Sequence, residues 1–184
     1  MLSSVLDCRW RYELHKTFLR LFYGRLDAHC QVCITTAVIE VITSITINAP
    51  QRRVAAYASN PDNATEWYEN IVSVVWQTPK PLEVGSRIVF TARFLGRTLS
   101  YTYEVLDISS SRFVMRTAHG PFPMETRYLW DHVTNNVTKM ILVNKGEPAG
   151  FSKLVAPFIA MLMRRANEKD LRKLKSILER NSHA

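Results

Sequence analysis

The stretch FSKLVAPFIAMLMRRANEKDLRKLKSILER, residues 151–180, carries the strongest long-helix signal in the body of the chain. Leu154, Phe158, Met161 and Leu162 recur at spacings of three and four, and Leu171, Leu174, Ile177 and Leu178 resume the pattern, the period of one helix face. Pro157 falls near the beginning. A missing N–H is harmless there if the helix starts around Leu154; otherwise the ring kinks it, so an irregularity is expected at the front of the helix. The apolar stripe needs a surface to cover it, and the preceding segments supply one.

Working back from the helix, six segments alternate like strands: residues 71–78, 87–95, 98–107, 112–119, 124–133 and 137–145. Turn residues separate them, among them Gly85, Gly96, the run Gly120-Pro-Phe-Pro123 and Asn135-Asn136. Links this short join antiparallel neighbours. A seventh strand is expected over residues 38–48, where Ile39, Val41, Thr43, Ile45 and Ile47 share one side. Between it and the others lie two short helical stretches, one over residues 51–59 behind Pro50 and one around Trp67, which reads with Tyr68 as an anchor against the sheet. Ile88, Phe90, Ala92 and Phe94 share a face, as do Leu99, Tyr101, Tyr103 and Val105. So do Phe113, Met115, Thr117 and His119, and then Met124, Thr126, Tyr128 and Trp130. The opposite faces hold Arg93, Glu104, Arg116, Glu125, Arg127 and Asp131. One face of the sheet is therefore expected to be aromatic and the other charged. The last strand is ambiguous, because Val137, Ile141 and Val143 compete with Met140 and Leu142 for the inward side.

This order resembles the SRPBCC superfamily, which contains the START lipid-transfer domains, the birch-pollen-allergen-like proteins and the polyketide cyclase/dehydrase-like families. Ile45-Thr-Ile-Asn-Ala-Pro50 resembles its opening strand and helix entry, and Val54-Ala-Ala-Tyr-Ala-Ser-Asn-Pro61 with Trp67 its helix-turn signature. Val84-Gly85-Ser86 and Gly120-Pro-Phe-Pro-Met124 fall at its glycine turns. Met163-Arg-Arg165 and Leu171-Arg-Lys-Leu174-Lys-Ser-Ile-Leu-Glu179 look like the tail of its long helix. The resemblance covers about residues 38–180. It implies an α+β helix-grip fold: a seven-stranded curved antiparallel sheet, two short helices after the first strand, and a long C-terminal helix packed across the sheet.

The totals fit one such domain: 184 residues, 47% hydrophobic and 22% charged. No apolar run approaches the roughly 20 residues that span a bilayer. Residues 38–184 form the expected domain, with residues 1–37 as an N-terminal extension. The extension has Leu6, Trp10, Leu14, Phe18, Leu21 and Phe22 on one side and several arginines among them. It reads as a surface-docking amphipathic helix, as a packed decoration, or as a disordered segment or one outside the natural protein, and these stay open. Interspersed charges argue against a secretory signal, and Asp7 and Glu13 against a transit peptide. Cys8, Cys30 and Cys33 all lie in this segment. The pair Cys30 and Cys33 has the spacing of half a zinc site but lacks a second pair, so no metal and no cofactor is expected. A body without cysteine favours a reducing, cytoplasmic location.

Net charge is +8, with eight Lys or Arg against three Asp or Glu from Lys153 onward. Without aromatic interleaving this basic excess reads as the solvated face of an amphipathic helix, and no nucleic-acid partner is expected. Docking of an acidic protein is a weaker reading. Asn63-Ala-Thr65 and Asn136-Val-Thr138 match the glycosylation pattern, which matters only in a secreted chain.

The resemblance implies a cavity between sheet and long helix; the alternative is that the same side chains fill that space. The expected cavity residues are Trp67, Phe90, Phe94, Tyr101, Tyr103, Met115, Thr117, His119, Tyr128, Trp130, Phe158, Met161 and Leu162, an apolar set with a few hydroxyls suited to a small molecule. No nucleophile elbow, phosphate loop or paired-histidine spacing occurs. His119 is the candidate acid–base group, since imidazole titrates near neutrality and its strand parity points inward. The leading expectation is a module that binds or carries a hydrophobic small molecule, such as a lipid or aromatic metabolite, without integral membrane association. The alternative is a cyclase or dehydratase in the same pocket. The sequence does not set the oligomeric state.

Overall fold

Seven runs rich in β-branched and aromatic residues form one antiparallel sheet in the structure, a computed structural model that describes residues 38–94, 96–147 and 156–180. The readings made of residues 1–37, including the three cysteines, and of Leu154 lie outside the described residues, as does the side chain of Phe94. The elements are β1 (Ile39–Ile47), α1 (Gln51–Ser59), a 3-10 turn (Pro61–Asn63), α2 (Ala64–Trp67), β2 (Ile71–Trp76), β3 (Arg87–Phe94), β4 (Arg97–Ile108), β5 (Arg112–His119), β6 (Met124–Thr134), β7 (Val137–Gly146) and α3 (Ala156–Arg180). This is the expected helix-grip order.

Strand order is β1-β7-β6-β5-β4-β3-β2. Strands β2 to β7 follow one another as a meander, while β1 pairs with β7 at the far edge. The link carrying α1 and α2 therefore joins the two opposite edges of a curved sheet. Its short helices bury Val54, Ala58 and Trp67 in the core. Asn60 caps the 3-10 turn by accepting the Asp62 N–H at 3.1 Å, the usual service of an Asn side chain at such a start.

Among the described residues helix α3 runs from Ala156, with Pro157 in its first described turn; the expected irregularity at the front of the helix falls on residues outside the described ones. Its C-terminal half buries Leu171, Leu174 and Leu178 with Trp67, Trp130, Met140 and Leu142. Its N-terminal half sets Ile159 and Met163 against Ile39 and Val41. The helix also covers the exposed edge of β1. Arg164 Nη1 donates to the Ile42 carbonyl at 3.1 Å, Lys175 Nζ donates to the Thr46 carbonyl at 2.7 Å, and Glu179 accepts the Asn48 N–H at 2.7 Å. Occupying those backbone groups blocks further strand addition at that edge.

The outer face is charged, as alternation predicts. Arg87 pairs with Glu104 and Arg112 with Asp107; Arg116 pairs with Glu125, and Arg127 with both Glu125 and Glu40. These pairs are largely solvated and contribute little individually. The ambiguity in β7 resolves with Met140, Leu142 and Asn144 inward, opposite Trp130, Tyr128 and Thr126 on β6.

Candidate functional site

The inner face of β3 to β6 brings most of the expected residues together. Phe90, Tyr101, Tyr103, Met115, Tyr128 and Trp130 are buried, and α2 adds Trp67. Their rings meet edge to face or tilted: Phe90 and Tyr103 at 5.7 Å between centroids, Tyr101 and Phe122 at 5.8 Å, Trp67 and Tyr128 at 5.9 Å. Such offset contacts hold the rings in place beyond their area burial. Part of this interior is solid. Between residues 58–64 and the side chains of Phe90, Phe113, Met115 and Tyr128 the free volume is only about 10 Å³, room for a single water. Thr117 is half-buried and serves the hairpin, its Oγ1 accepting the Met124 N–H at 2.8 Å.

A polar band crosses this aromatic surface. Thr126 Oγ1 donates to Asn144 Oδ1 at 2.9 Å, and Asn144 Nδ2 donates to Asn167 Oδ1 at 3.1 Å. The relay uses the oxygen of Asn167 and leaves its Nδ2 buried without a partner among the described residues, in a side chain only 6% exposed. Nearby, the Tyr68 and Tyr128 hydroxyls lie 2.8 Å apart. Burial pushes the Tyr103 hydroxyl up to about 12 and the Tyr68 and Tyr128 hydroxyls well above the usual phenol range, so all three stay neutral.

Asp170, three residues along α3 from Asn167, is 3% exposed. Its Oδ1 accepts the Glu69 N–H at 3.0 Å, which favours the charged form. Burial outweighs that bond and raises the carboxyl to about 6. The arrangement offers fixed neutral hydrogen-bonding groups and one acid that titrates near neutrality.

His119 does not belong to this site. The β4–β5 register shifts between Thr102 and Tyr103, so that Tyr103 faces Thr117 but Thr102 faces His119. The extra residue reverses the alternation, and His119 takes the outer face of its partner Thr102, where it is exposed. The same reversal turns Gly120 inward, against the Tyr101 ring. A Cβ built at Gly120 would lie 2.7 Å from Tyr101 Cδ1. Gly120→Ala is therefore expected to displace Tyr101 and to cost about 1–3 kcal/mol of stability, read by urea unfolding; an unchanged midpoint would refute that close approach.

Phe158 and Met161 are not enclosed either. They are 56% and 39% exposed, because the buried side of α3 near its start is the one carrying Ile159 and Met163. Leu162 is half-buried. Phe94 belongs to β3, with its side chain outside the described residues. Sequence reasoning missed Asn144, Asn167 and Asp170. A signal existed for two of them: Asn167 and Asp170 interrupt the stripe of Ile159, Met163, Leu171, Leu174 and Leu178 at its own spacing. Polar residues on the buried side of an amphipathic helix ask for partners.

A family model described as polyketide cyclase / dehydrase and lipid transport matches residues 38–179. Among solved structures, TTHA0849 from Thermus thermophilus is 19% identical, with a TM-score of 0.67 over 78% of this chain and 99% of that one. The Zhui aromatase/cyclase from Streptomyces sp. R1128 is 12% identical, with a TM-score of 0.67 over 79% and 96%. A START superfamily protein from Mycobacterium smegmatis is 13% identical, with a TM-score of 0.67 over 77% and 97%. At these identities the likeness is one of fold. No curated protein matches the sequence.

Proposed function

The chain belongs to the polyketide cyclase/dehydrase and lipid transport family, and from that premise we propose that it binds a hydrophobic small molecule bearing an oxygen function between the inner face of the sheet and α3. The unpartnered Asn167 Nδ2 carries this reading. A buried amide N–H without an acceptor costs about 1–3 kcal/mol. The Thr126–Asn144–Asn167 relay holds that amide in the orientation that leaves it unpaired. What it lacks is an acceptor, so the matching ligand presents a carbonyl, ether, carboxyl or hydroxyl oxygen to Asn167. The rest of the molecule lies on the aromatic wall of Phe90, Tyr101 and Tyr103.

Thermal shift with paired probes tests this: an aromatic ketone and a long-chain fatty acid, each beside its parent hydrocarbon. A probe at about 100 times its Kd adds about 2.7 kcal/mol to stability, so the oxygenated members are expected to raise Tm clearly. Asn167→Leu is expected to erase their advantage over the hydrocarbons. Equal response to both members of each pair, or none to any, would reject the reading.

Buried Asp170, near the Tyr68–Tyr128 pair, favours a second reading, proton transfer to or from the bound molecule. Membership of a family described as polyketide cyclase / dehydrase suggests polyketides as first substrates to try. Turnover lost in Asp170→Asn with binding retained would support it; turnover unchanged would remove Asp170 from the chemistry.

A further inference from the structure

Along one side of α3, Phe158, Met161, Arg165, Lys169 and Arg172 follow one another at spacings of three, four, four and three, and all five are exposed. The period makes them one stripe. Its composition changes along the axis: apolar in the first turn and a half, basic thereafter. On the far side of the helix Ile159 and Met163 pack on β1, and Phe158 and Met161 belong to neither buried cluster among the described residues. An exposed phenylalanine and methionine side by side are unfavourable in water, and among the described residues the packing of α3 does not use them.

We propose that this stripe docks the protein on an anionic lipid surface. Phe158 and Met161 enter the headgroup region, and Arg165, Lys169 and Arg172 meet successive lipid phosphates. The helix approaches obliquely, front end down, because the apolar and basic residues occupy the same face at different heights. With a rise of 1.5 Å per residue, the span from Phe158 to Arg172 is about 21 Å, several headgroups long. Charge complementarity chooses this occupant. The chain is +8 overall, and the stripe carries three basic residues, with Glu168 beside Arg172 as the acidic neighbour on that face. Lys169 pairs with Glu69 at 2.5 Å, and Arg172 lies 4.0 Å from Glu168; both pairs are solvated and readily exchange their carboxylates for phosphates. A nucleic-acid backbone would satisfy the basic half but offers no hydrocarbon to Phe158 and Met161. An interfacial helix uses both halves. Docking in this pose brings the front of α3, and with it the rim of the sheet that carries Ile39 and Val41, to the bilayer surface.

Flotation of the full chain with vesicles tests the proposal. Binding is expected to mixed phosphatidylcholine–phosphatidylglycerol vesicles at low salt, and not to phosphatidylcholine alone. Phe158→Ser with Met161→Ser is expected to abolish it at unchanged Tm, since neither side chain supports the core. Arg165→Glu is expected to weaken it about tenfold, whereas Lys139→Glu, the same charge change on the outer face of β7, is expected to leave it intact. Four results would each overturn the proposal. They are no binding to the anionic vesicles, binding retained by the double-serine variant, equal loss with Arg165→Glu and Lys139→Glu, or a self-association that the double-serine variant removes while vesicles never bind.

Discussion

Asp170→Asn is expected to stabilise the protein above pH 7 by about 3 kcal/mol and to change almost nothing near pH 3. The folded carboxyl titrates at about 6 and the ordinary value is 3.8, and each unit of difference is worth about 1.4 kcal/mol. Because the folded value is raised, the folded state holds the proton longer than the unfolded chain does. The stability this gives is fully present below the unfolded value and is lost as pH rises through the folded one. Above about pH 6 the native protein carries a buried carboxylate whose compensation is incomplete. Asparagine keeps the oxygen that accepts the Glu69 N–H and cannot ionise. Guanidinium unfolding of both proteins from pH 3 to 8 isolates this residue, since every other titrating group is common to the two. A gain that does not grow with pH, or a loss at pH 8, would show that the carboxylate is paired rather than stranded. A group retained at such a cost is what a functional acid looks like.

Leu174→Ala is expected to cost about 2–5 kcal/mol, a large share of the roughly 5–15 kcal/mol that holds a domain folded. Leu174 is fully buried, in the same cluster as Trp67, Trp130, Met140 and Leu142. Removing three carbons there leaves a void between helix and sheet that their neighbours cannot collapse to fill. Phe158→Ala on the same helix is expected to stay within about 0.5 kcal/mol of the parent. The contrast, read by chemical unfolding, locates the grip on α3 in its C-terminal half. Equal costs at the two positions would mean that the helix is held along its whole length.

The two substitutions mark where the chain was legible. Leu171, Leu174 and Leu178 are periodic, apolar and buried, and a helical period names the residues that a sheet must cover. The same period also counted Phe158 and Met161 inward. It reports a stripe wide enough to go around the helix, and only contact with β1 shows that Ile159 and Met163 use one side of it. On the strands, alternation placed Phe90, Tyr101, Tyr103, Met115 and Tyr128 correctly and failed at His119, because a bulge adds a residue without any mark in the sequence. Asn167 and Asp170 stood in the helical stripe, yet nothing local ties Asn167 to Asn144 and Thr126, which lie 23 and 41 positions away.

Period, turn chemistry and order were enough to determine seven strands, their antiparallel succession, two short helices and a long closing helix. All of these arise from preferences among residues near one another in the chain, including the charged outer face and the aromatic inner one. Only the tertiary structure decided which side of β7 faces in, because both its sides are apolar and the choice belongs to its neighbours β1 and β6. Pairing across the sheet likewise sent His119 outward and Gly120 inward. Packing of α3 assembled the polar band that the proposed site rests on. Register, bulge and burial are long-range quantities, set by the free energy of whole surfaces meeting, and a residue's own identity does not carry them.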